Sequence, residues 1–165
     1  MPEPISVLFV CRGNVCPSTM AEGIFQDLAK QPRYKDKIGR IDSCGTAEYH
    51  IGNPPDYRTL SLLKDNGITD YDHSARRLLT SDFEKFDYIF ATEQSNLSDL
   101  QRLQRDNPDA KAQVMLFGEY SGRNKVEEMY DPYYGQRDGF EEAFEQGKRC
   151  ASNFSEGGDG GGSLA

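Results

Sequence analysis

The segment that most constrains this chain lies near its start. Ile5-Ser6-Val7-Leu8-Phe9-Val10 is an almost continuous apolar run. Such a run suits a strand buried on both faces, as in a parallel sheet. It leads straight into Cys11-Arg12-Gly13-Asn14-Val15-Cys16-Pro17-Ser18-Thr19. Beyond that, Ala21, Ile24, Phe25 and Leu28 recur at helical spacing. Thr19 and Glu22 have the spacing of a capping box at the start of this helix.

A glycine-containing loop between a buried strand and a helix can turn its backbone N–H groups inward as an anion cradle. The helix N-terminus adds about half a unit of positive charge. A cysteine at the mouth of that cradle is expected to have a lowered pKa, because the donors stabilise its thiolate. Ser18 is placed to donate a further hydrogen bond to the Cys11 sulfur. The plainer reading makes Cys11 a small buried hydrophobe at a strand end.

The rest of the chain repeats the alternation. Residues 86–91 and 112–117 read as further buried strands, and Ile38 to Cys44 as a more polar strand near an edge. Asp56 to Asn66 reads as a helix with Leu60 and Leu63 inward and Gly67 as its stop. Leu97, Leu100 and Leu103 mark another. Phe140, Ala143, Phe144, Gly147, Ala151 and Phe154 mark the last. Strands alternating with helices imply an α/β fold: a single-domain, doubly wound, four-stranded parallel sheet with helices on both faces. Ligands of such sheets bind at the carboxyl ends of the strands, which here means just after Val10. One domain is expected over residues 1–154. The Gly-rich residues 155–165 have little to bury and predict a flexible tail.

The 165 residues suit one domain with a real core. A net charge of -8 opposes binding to nucleic acid or to an anionic membrane. No stretch approaches the length of a membrane span, and no signal peptide is apparent. The four cysteines, Cys11, Cys16, Cys44 and Cys150, are too irregularly spaced for a disulfide framework. Reduced thiols and a cytoplasmic location are therefore expected.

Val10-Cys11-Arg12-Gly13-Asn14-Val15-Cys16-Pro17-Ser18 resembles the phosphate loop of the low-molecular-weight protein tyrosine phosphatases, Val-Cys-x-Gly-Asn-x-Cys-Arg-Ser. The resemblance spans about residues 5 to 154. Residues 51–58 are similar to the family's loop beside the active site, His73-Ser74-Ala75-Arg76 to the segment behind the phosphate loop, and Asp131-Pro132-Tyr133-Tyr134-Gly135 to its acid loop. Residues 86–89 and 95–97 follow in register.

The resemblance implies metal-free, cofactor-free hydrolysis of phosphotyrosine proteins or small aryl phosphates. Cys11 would attack phosphorus and form a phosphocysteine. Asp131 would protonate the leaving phenol and then activate water. Ser18 would support the sulfur. The phosphate would bind along Arg12, Gly13, Asn14, Val15, Cys16 and position 17. Tyr49, His50, Tyr133 and Tyr134 would wall the cleft, with His73 behind Asn14 as a structural support. Cys16 could close a reversible disulfide with Cys11. Arg12 would project from the loop, either towards acidic phosphopeptides or as an ordinary solvated arginine. Glu93 stands where the family usually has aspartate.

At Pro17 the chain departs from the pattern, which places arginine six positions after the cysteine. Both a guanidinium fork and a backbone N–H are lost there, and the loss of a nearby positive charge is expected to raise the Cys11 pKa against the pull of the cradle. Severe impairment of turnover is expected. The alternative is an inactive pseudophosphatase or disabled variant that acts as a binding or regulatory protein. A thiol-based arsenate reductase shares this fold but needs further relay cysteines. Cys44 and Cys150 show no such arrangement.

Overall fold

The computed structural model describes residues 3–132 and 137–157. Four parallel strands, β1 (Ile5–Cys11), β2 (Ile38–Gly45), β3 (Tyr88–Ala91) and β4 (Gln113–Leu116), form one sheet in the order β2-β1-β3-β4. Helices α1 (Ser18–Ala29), α2 (Tyr57–Asp65), α3 (Asp82–Lys85), α4 (Gln94–Arg105) and α5 (Arg137–Ser155) connect and cover it. A 3-10 turn over Phe117–Tyr120 follows β4. This is the doubly wound α/β sandwich expected, with β1 inside the sheet and β2 at an edge.

Strand alternation divides the core. Val7, Phe9, Tyr88 and Phe90 point to the face covered by α1 and α5, while Leu8, Val10, Ile89 and Ala91 point to the face covered by α3 and α4. An aromatic cluster fills the first face. The Phe9 and Phe117 rings meet edge-on at 4.9 Å, and Phe90 and Phe154 meet edge-on at 5.3 Å. The four residues of β1 before Cys11 are fully buried, so the loop that follows hangs from a fixed point.

The outlines of several elements differ from the expectation. β3 and β4 are each two residues shorter than their apolar runs, because Phe86 is buried before the backbone joins the ladder at Tyr88 and Phe117 after it leaves at Leu116. Leu103 lies at the margin of α4, 36% exposed. The capping box at α1 does not form. Pro17 is the N-cap, with no side-chain bond, and Thr19 Oγ1 donates to the Val15 carbonyl at 2.7 Å. Glu22 turns into the core instead, where Ser43 and Tyr71 donate to it. Asp56 caps α2 by accepting from Arg58 N–H at 2.9 Å, and Gly67, just beyond the Asn66 cap, turns the chain away at φ +83°. Helix α5 runs through the expected tail boundary to Ser155. Among the described residues no helix is long and apolar enough to cross a membrane.

Candidate active site

Residues 11–17 curl at the carboxyl end of β1, under the start of α1. Thr46 N–H and Ala47 N–H donate to the carbonyls of Cys11 and Arg12, at 3.0 and 2.9 Å, and tie the loop to the end of β2. Gly45 sits at that seam. A Cβ there would come within 2.6 Å of the Arg12 carbonyl oxygen, so the approach needs glycine. Asn14 holds the left-handed conformation at φ 58°. That turn aims its backbone N–H at Cys11 Sγ, 3.2 Å away.

Ser18 Oγ lies 2.9 Å from the same sulfur and accepts from Asn14 Nδ2 at 3.1 Å, which leaves its own proton for the sulfur. Cys11 is only 2% exposed. Burial raises the Cys11 thiol pKa. The bonds from Ser18 and Asn14 pull it down without overcoming burial, and Asp131 adds to the rise. The lowered thiol pKa expected of the cradle is therefore not met.

Asn14 is also the hub behind the loop. Its Nδ2 donates to Ser43 Oγ at 2.9 Å. Its Oδ1 accepts from Arg76 N–H at 2.9 Å and from His73 Nε2 at 2.7 Å. Ser43 passes its proton to Glu22 Oε1 at 2.6 Å, and Tyr71 donates to that oxygen at 2.7 Å. Burial pushes the Glu22 carboxyl up to about 7, against the pull of those two donors. His73 occupies the supporting position expected of it. Burial lowers its imidazole pKa, and Asp42 opposes the shift.

The cleft in front of the loop is a cavity of about 540 Å³. Cys11, Gly13, Val15, Cys16 and Pro17 line its base, and Arg12, Tyr49 and His50 one side. Thr92, Glu93, Asn96 and Asp131 line it too. The expected site residues Cys11, Arg12, Cys16, Pro17, Tyr49, His50 and Asp131 are thus brought together. Arg12 Nε donates to the Tyr49 hydroxyl at 3.2 Å. A larger groove of about 780 Å³ runs along the start of α5, and Asp131 borders both. Tyr133 and Tyr134 lie outside the described residues. Sequence reasoning assigned no role to Thr92 or Asn96. Asn96 Nδ2 donates to Thr92 Oγ1 at 3.2 Å, and both line the cleft beside Glu93.

Pro17 sits at the start of α1, joined to Cys16 by a cis peptide bond. Its carbonyl accepts from Ala21 N–H at 3.0 Å, so the helix keeps its first bond. Among the described residues no other guanidinium takes the missing arginine's place at the base. Arg58 pairs with Asp56 at 2.9 Å and stacks over the Phe140 ring at 4.3 Å. Arg76 is held by Asp42 and Asp82, at 2.9 and 3.0 Å. Among the described residues lining the cleft, Arg12 is the only arginine or lysine, set against Glu93 and Asp131.

All four cysteines are buried free thiols. Burial drives the Cys16 thiol well above its ordinary range. Cys44 packs on one face of the sheet and Cys150 on the other.

The family model described as low molecular weight phosphotyrosine protein phosphatase matches residues 6–156. The protein of that name from Schizosaccharomyces pombe is 46% identical over 154 residues, covering 93% of this chain and 97% of its own length. The Homo sapiens protein of the same name is 42% identical over 151 residues, covering 92% and 94%. Of solved structures, Primo-1 superposes with a TM-score of 0.83 at 33% identity, covering 91% of this chain and 95% of its own. DARP, drosophila arginine phosphatase, superposes with a TM-score of 0.83 at 35% identity, covering 90% and 94%. With a matched strand, loop and cleft over nearly its whole length, the chain belongs to the low molecular weight phosphotyrosine protein phosphatase family.

Proposed function

We propose that this protein carries the machinery of aryl phosphomonoester hydrolysis, in a cytoplasmic setting, with turnover severely reduced by Pro17. The observation that carries the reading is the Cys11 sulfur under two converging donors, Asn14 N–H and Ser18 O–H, at the base of a cleft that Asp131 borders. In the first step the Cys11 thiolate forms a bond to phosphorus as the ester P–O bond breaks. Asp131 gives its proton to the departing phenolate. In the second step Asp131 takes a proton from water, the water oxygen attacks phosphorus, and the S–P bond breaks to return thiolate and inorganic phosphate. Tyr49 and His50 form a wall suited to a phosphotyrosine ring.

Two features of the cradle limit this chemistry. Phosphoryl transfer depends on positioned positive charge, and Pro17 supplies neither guanidinium nor N–H. The Cys11 thiol is also raised, so little thiolate is present near neutral pH. The second reading follows from the same residue: a chain that keeps the cleft and binds phosphotyrosine proteins with little turnover. An arsenate reductase relay is disfavoured, since Cys44 and Cys150 lie on opposite faces of the sheet.

The test uses the Pro17→Arg variant with Asp131→Ala added. Acid quench of that double variant with para-nitrophenyl phosphate should yield a phosphorylated Cys11 peptide by mass spectrometry. Phosphate on any other residue, or none on a folded protein, removes the assigned nucleophile.

A further inference from the structure

The groove along the start of α5 is larger than the cleft and has no part in the chemistry above. It runs between the 123–131 loop and the first turns of the helix, and it meets the cleft at Asp131. Pro132 and Ala143, both buried, lie at its floor. Seven carboxylates line it against two arginines. We propose that this groove seats a lysine- or arginine-rich segment adjoining the phosphotyrosine of a substrate protein. The proposal rests on the reading of the cleft as a phosphotyrosine site and adds the flanking sequence that the site selects.

The two arginines do not answer this charge. Arg149 donates to Glu127 and, from Nε, to the Ser121 carbonyl at 2.7 Å, while Arg123 lies 3.9 Å from the same Glu127. Both are drawn to one carboxylate. Asp138, Glu141, Glu142 and Glu145 recur at i, i+3, i+4 and i+7, so they share one exposed face of α5. At four-residue spacing Asp138 repels Glu142, and Glu141 repels Glu145. The helix dipole rewards negative charge only in the first turn, which leaves Glu142 and Glu145 beyond its reach. Among the described residues no lysine or arginine forms an ion pair with Asp138, Glu142 or Glu145. A face that repels itself and is not neutralised from within the fold gains from cations brought by a partner.

An aromatic side chain points the same way. Tyr130 lines the groove 64% exposed, and its hydroxyl donates to Glu128 Oε1 at 3.1 Å, which orients the ring. A ring held beside carboxylates suits a guanidinium or ammonium group, which meets the ring face and the charge together. The shared border at Asp131 sets the order along the partner. With a phosphotyrosine in the cleft, the residues next to it in sequence are the ones that reach the groove. A net charge of -8 disfavours a second copy of this acidic chain as the occupant.

Fluorescence anisotropy with the full-length chain, carrying Cys11→Ser throughout to prevent turnover, tests the groove. The probes are a labelled phosphotyrosine peptide flanked by lysine and arginine, its counterpart flanked by glutamine, and the basic peptide without phosphate. The basic phosphopeptide should bind at least about tenfold more tightly than the neutral one, and salt at about 0.5 M should erase most of the difference. Glu142→Lys with Glu145→Lys should abolish the advantage and leave the neutral phosphopeptide unchanged. The milder Glu142→Gln with Glu145→Gln should reduce it, and decides the matter if the reversed protein does not fold. Asp106→Lys with Asp109→Lys makes the same change of net charge beyond α4, on the other face of the sheet, and should leave the advantage intact. The proposal is overturned if basic and neutral phosphopeptides bind alike, if the α5 variants keep the advantage, or if the α4 variant loses it equally. A dimer in solution that the basic peptide does not dissociate would give the groove to a second copy and overturn it too. Failure of the cleft reading looks different. The basic peptide would then bind equally with and without phosphate, still through Glu142 and Glu145, which keeps the basic-segment site and removes the phosphotyrosine from it.

Discussion

Replacing Pro17 by arginine adds two groups at one place, a backbone N–H at the mouth of α1 and a guanidinium at the base of the cleft. The helix is not a party to the exchange. Its first bond comes from Ala21 N–H to the position 17 carbonyl, which any residue supplies. Residues in a first helical turn have no intrahelical use for their N–H, so that donor is available to an anion. One preorganised donor at a developing oxyanion is worth roughly 100- to 1,000-fold in rate. An arginine acting on a transferring phosphoryl group is worth roughly 1,000- to 100,000-fold. The two act on the same oxygens and will not simply multiply. A gain of at least about a thousandfold, or about 4 kcal/mol, is the conservative expectation. Among the described residues no side chain blunts the gain, since Arg58 and Arg76 are engaged elsewhere and Arg12 meets Tyr49. Steady-state hydrolysis of para-nitrophenyl phosphate by the two proteins, with Cys11→Ser as the blank, measures it. Circular dichroism of each protein establishes that the fold is common to both. Turnover by the unmodified chain within tenfold of Pro17→Arg would refute the reasoning, because some other cation would then be meeting the phosphate.

Two further outcomes follow from the same loop. Alkylation of Cys11 by iodoacetamide, mapped by mass spectrometry, should be slow at neutral pH and still climbing above pH 9, because burial keeps the thiol protonated. Pro17→Arg should move that profile to lower pH. A rate already level between pH 6 and 8 in the unmodified chain would contradict the burial account. Asn14→Ala should lower stability by about 3 kcal/mol, since it strips a hub from four partners, two of them fully buried, and leaves alanine in the left-handed region. Denaturant unfolding checks this, and a loss below about 1 kcal/mol would mean that the network relaxes around the gap.

The strand, loop and helix at the start of the chain were legible because everything that defines them is local. Val7 to Val10 are buried on both faces, so no polar alternation blurs the run. Cys11 and Ser18 fall together because one turn of loop joins them. Of what lay behind the loop, only the support of Asn14 by His73 was legible, and that through the family resemblance. Asn14, Glu22 and Ser43 come from separate elements and Tyr71 and His73 from one distant loop, and their contact exists only after β1, β2 and α1 have packed. Glu22 shows why. Three residues after Thr19 it fits a capping box, yet the same spacing also points it into the core, and only the partner at Ser43 distinguishes the two. Helix α3, a single turn of mixed charge, offers no periodicity to read. The paired roles of Thr92 and Asn96 depend on where β3 ends, and the apolar run alone does not mark that end. The cradle's thiol was misjudged for a related reason: loop donors can be inferred from sequence, but the depth at which they bury a sulfur cannot.

The position of β1 between β2 and β3 has a consequence for how the site comes apart. Amides of a strand paired on both sides exchange with solvent only through the largest openings of a domain, whereas loops open at a small fraction of that free energy. The cysteine end of the cleft descends from such a strand. The aspartate end arrives through a loop anchored at the buried Met129, whose N–H donates to the Thr92 carbonyl, and exposed again at Tyr130. Deuterium uptake should therefore divide the site in two, with Val7 to Val10 among the last amides to exchange and the exposed Tyr130, beyond the buried Met129, among the early ones. A phosphorylated ligand could then dwell on the protected half while the acid-bearing half opens and closes beside it, so residence time and turnover would be set by different parts of the chain.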